Sequence, residues 1–185
     1  MLIDTLKLVG KQLNEGNIRW GIGASVMLFA HGITQTPRDI DILVHLDDAE
    51  KAANILAKIG KIKPKTPSDT CKSEHFYEFI INGIDVEIMA GFTIEHYEGK
   101  YLYTFDKNST PEFIDIDQVK LPLMTVEDWY IIYQVLANRQ EKVQMIEGFL
   151  STKGIKYMKH INRQLKLNIP KEVIRHTKKF IELSK

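Results

Sequence analysis

The chain has 185 residues, of which 44% are hydrophobic and 26% are charged, a composition that is typical of a globular protein and excludes a disordered or collagen-like chain. The formal net charge of +1 conceals a division, because the first 150 residues carry seven more acidic than basic side chains and residues 151–185 carry eight more basic than acidic ones. We therefore expect an acidic body and a basic C-terminal segment.

Three features of the sequence predict a cytoplasmic protein. Cys71 is the single cysteine, so no intrachain disulfide can form. The N-terminus has neither the basic stretch nor the uninterrupted apolar core of a signal peptide. The apolar runs are far shorter than the roughly 20 residues that cross a membrane.

Local patterns predict alternating helices and strands in the first part of the chain. Helical spacing of leucine and valine indicates a first helix that ends near Gly16. Residues 18–22 are expected to form a short strand, and the apolar residues 24–31 a buried helix. Apolar residues alternate with other residue types along residues 40–44, which indicates a second strand.

The next segment is expected to contain a helix and a loop. Asp47 and Asp48 can cap a helix that runs to Ile59. Residues 60–73 are rich in lysine, proline and serine and are expected to form a loop, with a short strand at residues 61–63.

A hairpin follows this loop. The turn Asn82-Gly83 separates two β-rich runs, residues 74–81 and 84–89. Both turn residues tolerate a positive φ, which makes this dipeptide a strong hairpin signal. Pairing outward from the turn places Glu78 opposite Glu87.

The remainder of the chain is predicted to change from strands to helices. Residues 101–105 and 113–116 are expected to be strands. Residues 125–128 have the pattern of a capping box that opens a helix, and the last helix is expected to start at Pro170.

This order of elements predicts an α+β fold. It also predicts two regions: an α+β domain of residues 1–122, and a helical C-terminal region of residues 123–185 that includes the basic segment.

Two aspartates offer a candidate metal site. Asp39 and Asp41 are two residues apart in a predicted strand, so their carboxylates face the same side, roughly 6–7 Å apart along the backbone. Two aligned carboxylates are unfavourable unless a cation neutralises them. Carboxylate oxygens on a rigid strand suit Mg²⁺ or Mn²⁺.

A candidate phosphate site precedes the aspartates. The turn Gly23-Ala24-Ser25 enters a predicted helix, where free N–H groups and the helix dipole attract an anion. One helix joins this turn to the two aspartates. Transfer from a nucleoside triphosphate requires a phosphate-binding group next to a metal site, and this segment offers both.

These motifs resemble the nucleotidyltransferase-fold superfamily related to DNA polymerase β, and within it the small bacterial proteins akin to minimal and aminoglycoside nucleotidyltransferases. The family pattern is Gly-Gly or Gly-Ser, a helix, Asp-x-Asp in a strand, and a third acidic residue on a neighbouring strand. The chain matches it at Ser25, Asp39 and Asp41, and residues 83–89 resemble the third-carboxylate strand. The resemblance covers roughly residues 16–150.

The resemblance implies a mixed sheet flanked by helices. It also implies metal-dependent transfer of a nucleoside monophosphate from a nucleoside triphosphate to a hydroxyl group of a small molecule, a protein or RNA. Asp39, Asp41 and Glu87 would be the catalytic residues and would hold Mg²⁺ or Mn²⁺. Asp85 remains the second choice for the third carboxylate. The residues implied for triphosphate binding are Gly23, Ala24, Ser25 and Arg38.

Some positions depart from the family pattern. Ala24 stands where glycine is usual, Gln35 and Pro37 replace part of an Arg-x-Thr motif, Tyr133 stands where lysine is frequent, and Lys142 where aspartate is frequent. These departures support an alternative function, that of a catalytically degenerate binding module in a toxin–antitoxin or regulatory complex.

The basic segment, residues 151–185, lies outside the resemblance. Its charge is typical of a solvated helix face. Binding to RNA, binding to a protein partner and docking onto the acidic body remain open alternatives. No membrane partner is expected.

Overall fold

The structure is a computed structural model that describes residues 1–64 and 72–184. Residues 65–71 of the predicted loop, which include Cys71, lie outside the described residues. The helices in the described part are α1 (Leu2–Glu15), α2 (Ala24–Ala30), α3 (Ala49–Leu56), α4 (Val126–Val135), α5 (Gln140–Lys153), α6 (Met158–Gln164) and α7 (Lys171–Leu183). The strands are β1 (Trp20–Ile22), β2 (Ile40–Val44), β3 (Lys61–Ile62), β4 (His75–Ile81), β5 (Ile84–Ala90), β6 (Thr93–His96), β7 (Gly99–Leu102), β8 (Glu112–Ile116) and β9 (Val119–Leu123).

Seven of these strands form one mixed sheet. Their order is β3-β4-β5-β2-β1-β9-β8, and β6 and β7 pair as a separate hairpin. Strand β2 runs parallel to β5, and β1 runs parallel to β9. The other neighbouring strands are antiparallel. The α+β fold with a mixed sheet flanked by helices is therefore confirmed.

The hairpin between β4 and β5 has the predicted register. Asn82 and Gly83 both have positive φ values, 51° and 75°. This geometry matches the right-handed twist of the flanking strands. The turn sets Glu78 opposite Glu87, as the sequence predicts.

Strands β6 and β9 were not predicted from the sequence. Pro122 lies within β9, and proline is unusual in an inner strand because it has no N–H to donate. The structure accommodates it because β9 pairs with β1 only at Ile22 and Leu123. The strand predicted at residues 101–105 is also displaced, because β7 ends at Leu102.

The start of the third helix differs from the prediction. A 3-10 turn, Leu46–Asp48, precedes α3, and α3 ends at Leu56 instead of Ile59. The Asp48 side chain does not cap the helix. It accepts hydrogen bonds from the Arg19 backbone N–H at 2.9 Å and from Arg19 Nε at 2.7 Å. An ion pair thus replaces the predicted cap.

Helices α1 and α3 pack on the sheet, and α4 packs on α2 and on the C-terminal helices. The last strand ends at Leu123, and helices follow from Val126. The Thr125 hydroxyl accepts from the Asp128 N–H at 3.1 Å, as expected of a helix cap. The division at residue 122 stays a prediction. None of the described helices is both long and apolar enough to cross a membrane.

A buried polar network joins the C-terminal helices to the chain after β7. Asp128 is fully buried and accepts hydrogen bonds from the Tyr103 hydroxyl at 2.9 Å and from Gln164 Nε2 at 2.7 Å. His160 Nδ1 lies 2.9 Å and Arg163 Nη2 lies 3.3 Å from Asp128 Oδ2. The Arg163 guanidinium, the His160 imidazole and two neutral donors therefore compensate this carboxylate for its burial.

Part of the basic segment docks onto the acidic body. Lys156 Nζ lies 2.6 Å from Glu112 Oε1, and Arg163 Nη1 lies 3.3 Å from Asp106 Oδ2. The basic residues of α7, by contrast, are exposed.

Candidate active site

Three carboxylates lie side by side on adjacent strands of the sheet. Asp41 of β2 is opposite Glu87 of β5 in the parallel pair, and Glu87 is opposite Glu78 of β4 in the antiparallel pair. Residues paired in this way point to the same face, and neighbouring strands are about 4.8 Å apart. We call Asp41, Glu87 and Glu78 the carboxylate row.

The alternation along β5 explains why the row is accessible. Ile84, Val86 and Ile88 are buried, whereas Asp85 is exposed and Glu87 is half-buried. The apolar residues therefore face the core, and the acidic residues share the open face of the sheet.

Hydrogen bonds hold the Gly23-Ala24-Ser25 turn against the aspartates. Asp39 immediately precedes β2, and its Oδ1 accepts a hydrogen bond from Ser25 Oγ at 3.0 Å. The Gly23 N–H donates to the Asp41 carbonyl oxygen at 3.0 Å. The structure thus brings together the turn and the two aspartates that the sequence singled out.

The turn has two backbone constraints. A Cβ on Gly23 would overlap the indole ring of Trp129, so only glycine fits without movement of α4. Ala24 has a φ of +43°, in the left-handed region that favours glycine. Glycine, which is usual in the family at this position, would adopt this conformation without strain.

Burial and neighbouring negative charges raise the pKa values of two carboxylates in the site. Burial and the neighbouring Asp39 and Glu87 charges raise the pKa of Asp41 well above its usual value, although Arg139 opposes the shift. Burial and the adjacent Glu78 and Asp39 raise the pKa of Glu87 to about 7. Each carboxylate is therefore less stable in its ionised form than it would be in water.

Sequence reasoning did not assign two neighbours of Asp41 to the site. Burial raises the pKa of Tyr133 above its usual value, and so do the nearby Asp41 and Asp39 charges. Arg139, just before α5, lowers the pKa of Asp41. No local motif indicates this placement, because α4 and α5 reach the site only through tertiary packing.

Asp85 lies at the exposed end of the acidic face of β5. Asp85 Oδ1 lies 3.0 Å from Lys63 Nζ, which also lies 3.5 Å from Glu78 Oε1. Asp85 thus already has a cationic partner, whereas Glu87 faces Asp41. This placement favours Glu87 over Asp85 as the third carboxylate. Arg38 is exposed.

The donor atoms are compatible with a hard divalent cation. In the part of the chain that the structure describes, no three His, Cys, Asp or Glu side chains form a preassembled metal cage. Mg²⁺ does not need such a cage, because it usually takes one or two carboxylates and completes its shell with phosphate oxygens and water. The oxygens of Asp39 and Asp41 suit this role, and a cation would relieve their repulsion.

No protein-family model matches the sequence, and no curated protein is similar to it. Solved structures do match the fold. TM1012 from Thermotoga maritima, provisionally described as a nucleotidyltransferase, matches with a TM-score of 0.62 and 24% identity, over 82% of this chain and 93% of its own.

The antibiotic-resistance factor ANT(2″)-Ia is also similar. Its solution structure matches with a TM-score of 0.57 and 12% identity, over 98% of this chain and 95% of its own. Its crystal structure in complex with adenylyl-2″-tobramycin matches with a TM-score of 0.53 and 12% identity, over 88% and 93% of the two chains. The chain therefore has the nucleotidyltransferase fold.

Proposed function

We propose that this protein is a metal-dependent nucleotidyltransferase that moves a nucleoside monophosphate from a nucleoside triphosphate to a hydroxyl group of an acceptor. The observation that carries the proposal is the register of Asp41 with Glu87, next to Asp39 and its hydrogen bond to Ser25. The complex of ANT(2″)-Ia with adenylyl-2″-tobramycin, in which a nucleotide is joined to an acceptor, supports the same class of reaction.

In this proposal Asp39 and Asp41 hold Mg²⁺ or Mn²⁺. Bound there, the cation would neutralise phosphate oxygens during in-line displacement at the α-phosphorus. The N–H groups of Ala24 and Ser25 bind the β- and γ-phosphates, while Gly23 keeps its N–H on the Asp41 carbonyl and positions the turn. The Ser25 hydroxyl turns from Asp39 to donate to a phosphate oxygen, and the exposed Arg38 guanidinium adds positive charge at the open edge.

Glu87 is proposed to accept the proton of the acceptor hydroxyl. In the metal-free protein, burial and the adjacent Glu78 and Asp39 raise the pKa of Glu87 to about 7, so this carboxylate accepts a proton more readily than an exposed one. The acceptor oxygen forms a bond to the α-phosphorus, the bond from the α-phosphorus to the leaving oxygen breaks, and pyrophosphate leaves. The proton goes from the hydroxyl to the Glu87 carboxylate.

The test is transfer of label from an α-labelled nucleoside triphosphate, with Mg²⁺ and cell extract as the source of the acceptor. Label should pass to an acceptor with the wild-type chain and not with Asp41→Asn. Asp117→Asn, which alters an exposed aspartate in the turn between β8 and β9, is the matched control and should transfer as the wild type does. Absence of transfer with every triphosphate and extract would contradict the proposal.

One observation favours the alternative of a degenerate binding module. A phenol, Tyr133, stands where the family often has a lysine, and the Asp41 charge raises its pKa, so less positive charge is available for a triphosphate. Calorimetry separates the two functions, since a degenerate module should have no Mg²⁺-dependent affinity for nucleoside triphosphates.

In either case the basic segment, residues 151–185, is the proposed contact for an RNA or protein partner. Replacing the exposed Lys171 and Lys178 of α7 with glutamine, which leaves the buried network of Asp128 intact, should then weaken partner binding in a salt-dependent way.

A further inference from the structure

A cavity of about 260 Å³ lies between the start of α4, the end of α5 and the C-terminal end of α2. His31, which directly follows α2, forms part of its wall. Ser25 lies in the first turn of the same helix, roughly 9 Å away along the helix axis. The wall does not include Asp41 or Glu87. The cavity is therefore separate from the candidate active site.

Glu127, in the first turn of α4, contributes a buried carboxylate to the wall. The residue is only 3% exposed. Its Oε1 accepts the Tyr157 N–H at 2.8 Å, but among residues 1–64 and 72–184 no group donates to Oε2 and no cationic side chain forms an ion pair with it. The N-terminus of α4 compensates part of this charge. A buried carboxylate normally has a cationic partner as well, and a ligand with an ammonium group would supply one.

The other charged groups of the cavity leave one amine without a partner. Lys156 Nζ lies 2.6 Å from Glu112 Oε1, so these two charges cancel. Burial lowers the pKa of His31, although the Glu112 and Glu127 charges oppose this shift, so its imidazole adds no charge near pH 7. Lys153, in the last turn of α5, is exposed and pairs with no described carboxylate. The cavity thus has one uncompensated carboxylate, Glu127, and one uncompensated amine, Lys153.

The remaining wall of the cavity is apolar. Val126, Phe149 and Leu150 supply this surface. The Phe149 ring meets the His31 imidazole edge to face, with ring centroids 5.8 Å apart. Such a surface favours an apolar group on the ligand, because contact with it removes apolar area from water.

We propose that this cavity binds an amino acid in its zwitterionic form, with an apolar side chain. The ammonium group of the ligand donates to Glu127 Oε2, its carboxylate accepts from Lys153 Nζ, and its side chain packs against Phe149. A simple amine would leave Lys153 without a partner, and a simple acid would leave Glu127 without one. A cavity of about 260 Å³ suits a ligand smaller than a drug-sized molecule. The inference goes beyond the proposed function and does not depend on it.

The test compares L-leucine with two analogues that each lack one charged group. Isoamylamine has the same apolar body without the carboxylate, and isocaproate has it without the ammonium group. The backbone amide of Gly154, which is part of the wall, reports binding as a shift of its NMR signal during titration. We expect L-leucine to bind the wild-type chain, and each analogue to bind at least about tenfold more weakly.

Two variants each remove one of the charges that the ligand needs. Glu127→Gln keeps a side-chain oxygen for the Tyr157 N–H, and Lys153→Gln alters an exposed side chain, so both variants should fold. Each should bind L-leucine about tenfold more weakly than the wild type. Glu127→Gln should still bind isocaproate as the wild type does, and Lys153→Gln should still bind isoamylamine as the wild type does.

The matched controls are Glu141→Gln on α5 and Lys159→Gln on α6. Both side chains are exposed and lie outside the cavity wall. Both controls should bind L-leucine with the affinity of the wild type, because they change the net charge of the chain by the same amount without a change in the cavity.

Three results would overturn the inference. The first is a Gly154 signal that does not shift with L-leucine at millimolar concentrations. The second is equal affinity for L-leucine and either analogue, since a zwitterion would then have no advantage. The third is unchanged binding of L-leucine to Lys153→Gln, in which the proposed partner of the ligand carboxylate is gone.

Discussion

Asp41 and Glu87 face each other across two parallel strands, with their carboxylates on the open face of the sheet. Glu78 extends the same row by one strand. Like charges directly opposite each other are unfavourable in a sheet. This arrangement therefore lowers the stability of the metal-free protein, and it creates a site at which a cation is strongly favoured.

Asp41→Asn should increase stability while it removes activity. The substitution takes one negative charge from the site and keeps the shape of the side chain, so the free energy of unfolding without metal should rise by about 1–2 kcal/mol. Urea denaturation in the presence of a chelator measures this change. Asp117→Asn, which loses an exposed ion pair with Lys7, should change stability by less than about 1 kcal/mol. A destabilised Asp41→Asn would contradict the repulsion argument.

The stability of the metal-free protein should fall as the pH rises through neutrality. The pKa of Glu87 is raised in the folded state from its ordinary 4.5 to about 7. A raised folded-state pKa gives stability that is fully present below pH 4.5 and is lost as the pH approaches 7. The loss should be on the order of 1–3 kcal/mol. Denaturation curves between pH 5 and 8 measure it, and Glu87→Gln should flatten the dependence. An equal slope in Glu87→Gln would assign the effect to other groups.

Gly23→Ala should destabilise the protein because its Cβ would overlap the Trp129 indole. Overpacking of this kind costs about 1–3 kcal/mol. Gly148→Ala is the control, because a Cβ at Gly148 meets no atom within 4 Å and alanine is the better residue within α5. That variant should gain about 0.5–1 kcal/mol. Thermal unfolding of both variants measures the contrast, and equal melting temperatures would refute it.

Ala24→Gly should be at least as stable as the wild type, with a gain of up to about 1 kcal/mol, since it relieves the positive φ of Ala24. The same substitution at Ala52 within α3, where the backbone is helical, should cost about 1 kcal/mol or more. Chemical denaturation of the two variants gives both values. Similar losses at both positions would show that the conformation of Ala24 is not strained.

Asp128→Ala should destabilise the protein by about 3–5 kcal/mol, because His160 and Arg163 would lose the buried carboxylate that they share. Asp106→Ala removes a partly exposed partner of Arg163 and the acceptor of the Asn108 N–H, both near the surface, and should cost about 1 kcal/mol. Equilibrium unfolding measures both. A small effect at Asp128 would mean that the network contributes little to the packing of α6 against α4.

The sequence determined the features that depend on neighbouring residues. The spacing of Asp39 and Asp41 and the Asn82-Gly83 turn are local, because backbone geometry and turn chemistry act over a few residues. They predicted the metal-ligand candidates, which stay a prediction, and the register of Glu78 with Glu87, which the structure confirms. The α+β order followed from the same periodicities, whereas β9, which contains Pro122, was not predicted.

Only the tertiary structure decided which distant residues meet. The parallel pairing of β2 with β5 sets Asp41 opposite Glu87 and not Asp85, and α4, which packs on α2, carries Tyr133, whose pKa the Asp41 charge raises. Such contacts arise when the whole chain buries its apolar surface, and no short sequence window records which strands or helices become neighbours.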